Sequence, residues 1–229
     1  MRDPDHTLGL RDDATLRLVR MMSLAMDAGD PFTHGRSYRC SKYAHRIGRK
    51  LAFDDNGLFD LEYAGLLQDL GKKAVLFGML QKPGPLDEEE RTRMATHTEI
   101  SSQALGEIPS LGGVALVIRH LNERYDGAGR PDALAGSAIP LASRILAVVS
   151  AFDAMTSDRP YRAGLTTEEA YTELRREAGH RFDPKIVETL ISLHESRDIF
   201  EDFDPEDMEL FLHDGCPPGY DLGRQDKAA

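Results

Sequence analysis

Apolar residues recur every three or four positions along this chain, without the regular apolar–polar alternation that marks a half-buried strand. That period restricts the fold to helix packed on helix. Residues 12–28 carry Leu16, Val19, Met22 and Met26 on one face, and Gly29-Asp30-Pro31 stops them. Residues 37–51 align Cys40, Ala44, Ile47 and Leu51. Residues 58–70 align Leu58, Leu61, Leu66 and Leu70, with Gly71 as the expected terminator. Lys82-Pro83-Gly84-Pro85 reads as a loop. Asp87 and Glu90 then form a capping box for a long helix with Met94, His97, Ser101 and Leu105 on its inner stripe. Residues 111–123 form the next helix, followed by a turn-rich loop from Asp126 to Asp132. Residues 140–155 are apolar enough to be central, with Leu141, Ile145, Val148 and Phe152 facing inward. Thr166 and Glu169 cap another helix, and Asp183-Pro184 opens the last one of the core, with Asp as cap and Pro in the first turn.

The predicted class is all-α. The expected division is an N-terminal helix (1–29), a core domain (30–194) and an acidic C-terminal extension (195–229). With 229 residues, 41% of them hydrophobic, the chain can bury a real core. The extension spaces Phe200, Phe203 and Phe211 among carboxylates. It reads either as a segment folded back on the core or solvated, or as a docking segment for a partner. A net charge of -11 argues against binding the backbone of nucleic acid or an anionic membrane. No apolar run approaches the length of a membrane span, and the start lacks a signal peptide's apolar stretch, so a cytoplasmic protein is expected. The two cysteines, Cys40 and Cys216, do not form a metal or disulfide framework; Cys40 reads as a buried thiol.

Taken singly, the polar clusters have ordinary explanations. Gln68-Asp69-Leu70-Gly71-Lys72 can be a helix cap and solvated turn. His97 and His120 can be hydrogen-bonded core histidines as readily as ligands. Arg159-Pro160-Tyr161-Arg162 can be a surface turn.

Taken together and in order, these stretches are far more specific. Tyr125-Asp126-Gly127-Ala128-Gly129-Arg130-Pro131 resembles the DGxGYP loop of the HD-GYP family, and Ala154-Met155-Thr156-Ser157-Asp158-Arg159-Pro160-Tyr161-Arg162 is close to that family's DALTSDRPYR. The stretch from Asp30 to Ser37 resembles DPYTxGHS, Gln68 to Lys72 resembles HDIGK, and Lys82 to Leu86 resembles NKPGKL. His97-Thr98-Glu99-Ile100 resembles HPxxG, and Phe182-Asp183-Pro184 matches FDP. The resemblance runs from about Asp30 to about Leu193.

The resemblance implies an all-helical HD-domain bundle and, in the family, hydrolysis of cyclic di-GMP by two or three iron or manganese ions. Adjacent metals supply both the nucleophile and the neutralising charge that an anionic phosphodiester requires, and they need a crowd of His and Asp ligands. Several family ligand positions here hold other residues: Arg36, Gln68, Leu121, Asn122 and Ser150. Asp69 and His97 remain, Asp153 adds a carboxylate, and His120 just precedes the altered pair. The resemblance therefore leads us to expect no bound metal cofactor and no catalytic residues beyond the remnants Asp69, His97 and Lys72. Lys72, Arg159 and Arg162 match residues that contact the nucleotide in the family, and Arg130 replaces the contacting tyrosine. With Arg36 they form the expected ligand-binding set: guanidinium charge pairs well with phosphate, though it cannot make hydroxide. Alternatively, these arginines only neutralise Asp69, Asp126 or Asp153.

Three function classes follow, two of them with chemistry attached. One is a non-catalytic regulator that binds cyclic di-GMP or another anionic nucleotide, or contacts a GGDEF-type or other signalling protein. The other is a metal-dependent cyclic-di-GMP phosphodiesterase with a depleted metal site. An inert structural module is the third possibility. No sensor or receiver domain accompanies the core, so its input is expected from outside the chain.

Overall fold

The computed structural model describes residues 19, 21–23, 35–76, 94, 96–157 and 163–200. Among these residues there are eight α-helices and no strand; an isolated bridge joins Ala178 to Phe182. The helices are α1 (Arg36–Lys50), α2 (Asp55–Leu67), α3 (Leu70–Leu76), α4 (His97–Gly106), α5 (Gly112–Arg119), α6 (Leu141–Thr156), α7 (Thr167–Glu177) and α8 (Pro184–Glu195). The all-α expectation holds. Of the N-terminal helix, only helical Val19 and Met21 to Ser23 fall within the described residues, and Lys82 to Glu90 lie outside them.

The local signals work as physical chemistry requires. Asp54 accepts from the Gly57 N–H at 2.8 Å and starts α2. Thr166 and Glu169 complete a reciprocal capping box on α7. Asp183 accepts from the Lys185 N–H at 2.9 Å, with Pro184 in the first turn of α8. Arg144 Nη1 clamps the same Asp183 at 2.6 Å, which ties α8 to α6. Helix α6 is central: Ile145, Leu146, Val148, Val149 and Phe152 are fully buried. Helix α1 packs broadly on α2 and crosses α6, with Tyr43, Ala44 and Ile47 inward and Cys40 buried as expected. Burial, followed by the field of Asp153, pushes the Cys40 thiol up to about 12, so it is an inert neutral group.

Two boundaries differ from the sequence expectation. Gly71 does not end a helix but sits inside α3; the chain breaks earlier, at Gln68-Asp69. Gly71 is needed for close approach instead, because a Cβ there would lie 2.0 Å from the His97 carbonyl oxygen. The expected helix over 111–123 opens as a 3-10 turn, Pro109–Leu111, and α5 ends at Arg119. At that end the His120 ring Nδ1, 3.0 Å away, competes with its own backbone N–H, 3.4 Å away, for the Leu116 carbonyl.

Part of the acidic extension folds back. Asp198–Phe200 form a 3-10 turn, and the Phe200 ring packs 6.1 Å from Tyr43 and 5.2 Å from His194. Beneath it Tyr171 OH and His194 Nδ1 share a buried hydrogen bond of 2.7 Å. Phe203 and Phe211 lie outside the described residues.

Helices α1 and α2 are also tied by Glu62, which lies 2.9 Å from Lys42 Nζ and 3.3 Å from His45 Nδ1. Burial works to raise this carboxyl's pKa, but the nearby His45 ring and the Lys42 charge outweigh it and hold it near 2, against an ordinary 4.5. A carboxyl depressed in the folded state contributes stability that is complete above its ordinary value and disappears as pH falls through the folded value. Glu62→Gln is therefore expected to cost ~2 kcal/mol at neutral pH, after allowance for partial exposure. It should also flatten the loss of stability between pH 4.5 and about 2, as read by urea denaturation at stepped pH. An unchanged acid limb would contradict this assignment.

Candidate functional site: an arginine-floored cavity

A cavity of about 690 Å³ opens where the N-terminus of α1, the α2–α3 break, the start of α4, the segment after α5, and helices α6 and α7 converge. Its size suits a nucleotide-sized ligand.

Arg36, the first residue of α1, forms the floor and is only 8% exposed. Its Nη1 donates to Asp153 Oδ2 at 2.9 Å, its Nε to Asp69 Oδ2 at 3.3 Å, and its Nη2 to Ser150 Oγ at 2.6 Å. One guanidinium thus links the α2–α3 break to α6. One turn along α1, Arg39 Nε donates to the other oxygen of Asp153 at 2.6 Å. Asp153 is 1% exposed and holds two arginines at once. Burial works against the charge on both guanidiniums, but the surrounding negative field, which includes Asp153 for each, overcomes it and raises their pKa values.

Lys72 Nζ reaches Asp69 Oδ1 at 2.7 Å, so Asp69 is shared by Arg36 and Lys72. Burial works to raise the Asp69 pKa, yet these two cations hold it down at about 2. Asp69 is therefore an anion at physiological pH, already engaged from both sides. His97 lines the same cavity, its Nδ1 2.7 Å from the Met94 carbonyl. Burial lowers its pKa, which favours the neutral ring. The carbonyl can only accept, so Nδ1 carries the proton and Nε2 keeps its lone pair.

Gln68 is wholly buried on the cavity wall. Its Nε2 donates to the Gly65 carbonyl at 3.2 Å, while Oε1 has no partner. Leu121 and Asn122 line the same cavity, and Asn122 Nδ2 donates to Thr98 Oγ1 at 3.2 Å. The positions singled out in the sequence at 36, 68, 69, 72, 97, 121, 122 and 150 are thus brought to one place.

Others are not. Arg130 is exposed and absent from the cavity lining; its backbone N–H donates to the Asn122 carbonyl at 3.2 Å. Asp126 is held by Arg124 at 2.7 Å, so it is no partner for Arg130. His120 is turned to Asp132, with Nε2 3.0 Å from Oδ2, and serves the loop rather than the cavity. Arg159 and Arg162 lie outside the described residues.

Sequence reasoning overlooked four arginines. Arg39 could have been found, since it lies three residues from Arg36 on the same helical face. Arg124, Arg176 and Arg181 line the cavity mouth through tertiary placement alone. Chemically, the arrangement presents fixed cations over a neutralised carboxylate floor, suited to holding an anion.

A model of the HD domain family matches residues 20–186. The chain belongs to the HD domain family, and its motif order is that of the HD-GYP branch. It is 37% identical over 185 residues to the cyclic di-GMP phosphodiesterase response regulator RpfG of Xanthomonas campestris, covering 79% of this chain and 48% of that protein. It is 33% identical over 180 residues to 3'3'-cGAMP-specific phosphodiesterase 3 of Vibrio cholerae (78% and 39% covered). It is 30% identical over 208 residues to a cyclic di-GMP phosphodiesterase of Thermotoga maritima (89% and 55%). The chain spans about half the length of these curated relatives. A crystal structure of a cyclic GMP-AMP-specific phosphodiesterase from Vibrio cholerae shares the fold, with a TM-score of 0.63 and 24% identity, over 86% of this chain and 52% of that one. No helix among the described residues is long and apolar enough to cross a membrane.

Proposed function

We propose that this chain is a non-catalytic HD-GYP protein of bacterial cyclic-di-GMP signalling that binds an anionic cyclic nucleotide in the cavity floored by Arg36. The observation that carries the reading is the Arg36 guanidinium, hydrogen-bonded at once to Asp69, Asp153 and Ser150. The family's activity needs bridged metal ions, and the residues present do not fit such a pair. Among the described residues no group of three or more His, Cys, Asp or Glu side chains converges on a point where an ion could be held. A guanidinium donates hydrogen bonds and accepts none, and here it already engages both acidic groups. Arg36 and Lys72 instead supply positive charge for phosphate oxygens. The names of the relatives, which act on cyclic di-GMP or 3'3'-cGAMP, support the ligand class. Contact with a GGDEF-type or other signalling protein is a further part of the proposal, as are the roles of Arg159 and Arg162 at the ligand.

The test is the metal content of purified protein by elemental mass spectrometry, beside cyclic-di-GMP binding and hydrolysis with iron and manganese supplied. Saturable binding without stoichiometric metal and without cleavage is expected. Two or more ions per chain together with cleavage would overturn the reading in favour of a metal-dependent phosphodiesterase.

A further inference from the structure

The mouth of the cavity employs its cations unequally. Arg124 is held by Asp126 at 2.7 Å, and Arg176 lies against Glu173 and Glu177. Arg181 differs: among the described residues no carboxylate lies within ion-pair distance of it, although it is exposed and lines the cavity. Its guanidinium carbon rests over the ring of Phe182, 5.1 Å from the centroid, and Phe182 is 3% exposed. A cation laid on a buried ring has fewer rotamers to lose when it meets a ligand.

The backbone under Arg181 is equally fixed. Its N–H donates to the Glu177 carbonyl at 2.9 Å, and its carbonyl accepts from the Tyr125 N–H at 3.2 Å. The neighbouring His180 carbonyl accepts from the Asp126 N–H at 2.8 Å. This short turn between α7 and α8 is therefore bolted to the glycine-rich loop, and it holds at the rim a guanidinium with no carboxylate partner among the described residues. Elsewhere in the lining of the same cavity, Arg36 and Lys72 converge on the single carboxylate of Asp69. The site thus has two cationic points, one at the floor and one at the rim, with space of about 690 Å³ between the walls.

We infer that Arg181 is a second anion contact, which takes the second phosphate of a two-phosphate cyclic dinucleotide whose first phosphate lies over Arg36 and Lys72. The inference rests on the reading of this cavity as an anionic-nucleotide site, and it adds the discriminator. A ligand with one phosphate is satisfied at the floor and leaves Arg181 unused; a cyclic dinucleotide engages both points.

The experiment is calorimetric titration of the full chain and of Arg181→Gln with cyclic di-GMP and, separately, with GMP. Arg181 is exposed and makes no ion pair among the described residues, so the variant is expected to fold normally, which thermal unfolding checks. The expected result is a loss of about tenfold or more in affinity for cyclic di-GMP, with GMP affinity changed by less than about twofold. If the parent chain binds cyclic di-GMP and the variant binds it equally well, or if both ligands weaken in parallel, the role assigned to Arg181 is overturned while the cavity reading stands. If the parent chain binds neither nucleotide, the cavity reading itself falls, and the assignment falls with it.

Discussion

Replacing Asp153 with asparagine is expected to cost about 3–5 kcal/mol of folding stability, the usual consequence of removing one charge from a buried ion cluster. Asp153 is 1% exposed and receives Arg36 Nη1 at 2.9 Å on one oxygen and Arg39 Nε at 2.6 Å on the other. The amide that replaces it has one acceptor oxygen, and its NH2 group faces a donor. One guanidinium, itself nearly buried, then loses its acceptor, and both lose the opposing charge. For a chain of this size the cost corresponds to a fall in Tm on the order of 10 °C. Thermal unfolding at neutral pH checks this, and a change of under about 1 kcal/mol would mean that Asp153 is solvated rather than the keystone of the floor.

Placing histidine and aspartate at the cavity positions where the resembling motifs carry ligands is expected to have the largest qualitative effect. The combined variant Arg36→His, Gln68→His, Leu121→His, Asn122→His and Ser150→Asp should take up about two manganese ions per chain, since paired-ion sites need such a shell. The parent chain treated alike should retain none. All five positions line the cavity that already holds Asp69 and His97. Removal of the Arg36 guanidinium also frees one oxygen each of Asp69 and Asp153, which Lys72 and Arg39 continue to hold by the other. Elemental mass spectrometry after dialysis against manganese reads the outcome. A folded variant that takes up no metal would show that the backbone around the cavity no longer holds ligating geometry.

Much of this was legible in the sequence, for reasons that are local. The caps at Thr166 with Glu169 and at Asp183 with Pro184 depend on neighbours within three residues, and both stand as read. The stripe of α6 follows from period alone, and the cavity positions follow from motif order. What failed depended on distance in the chain. Gly71 looks like a stop signal, but its absent side chain answers to His97, twenty-six positions on. Arg130 stands where the resembling loop motif has a ligand-contacting tyrosine, and where its loop sets the side chain, exposed and outside the cavity lining, was not legible from the motif. Arg181 carries no local signal at all; its importance comes from a turn hydrogen-bonded to Tyr125 and from a ring beneath it.

The guanidinium at the cavity floor has a physiological corollary. A positive charge made by an arginine arrives with translation, needs no loading, and cannot be stripped by a chelator. With Asp69, Asp153 and Ser150 all engaged by Arg36, the positive charge at this spot comes from the chain itself. On the reading proposed above, ligand binding at this floor would depend on the fold that positions Arg36 and not on trace-element supply.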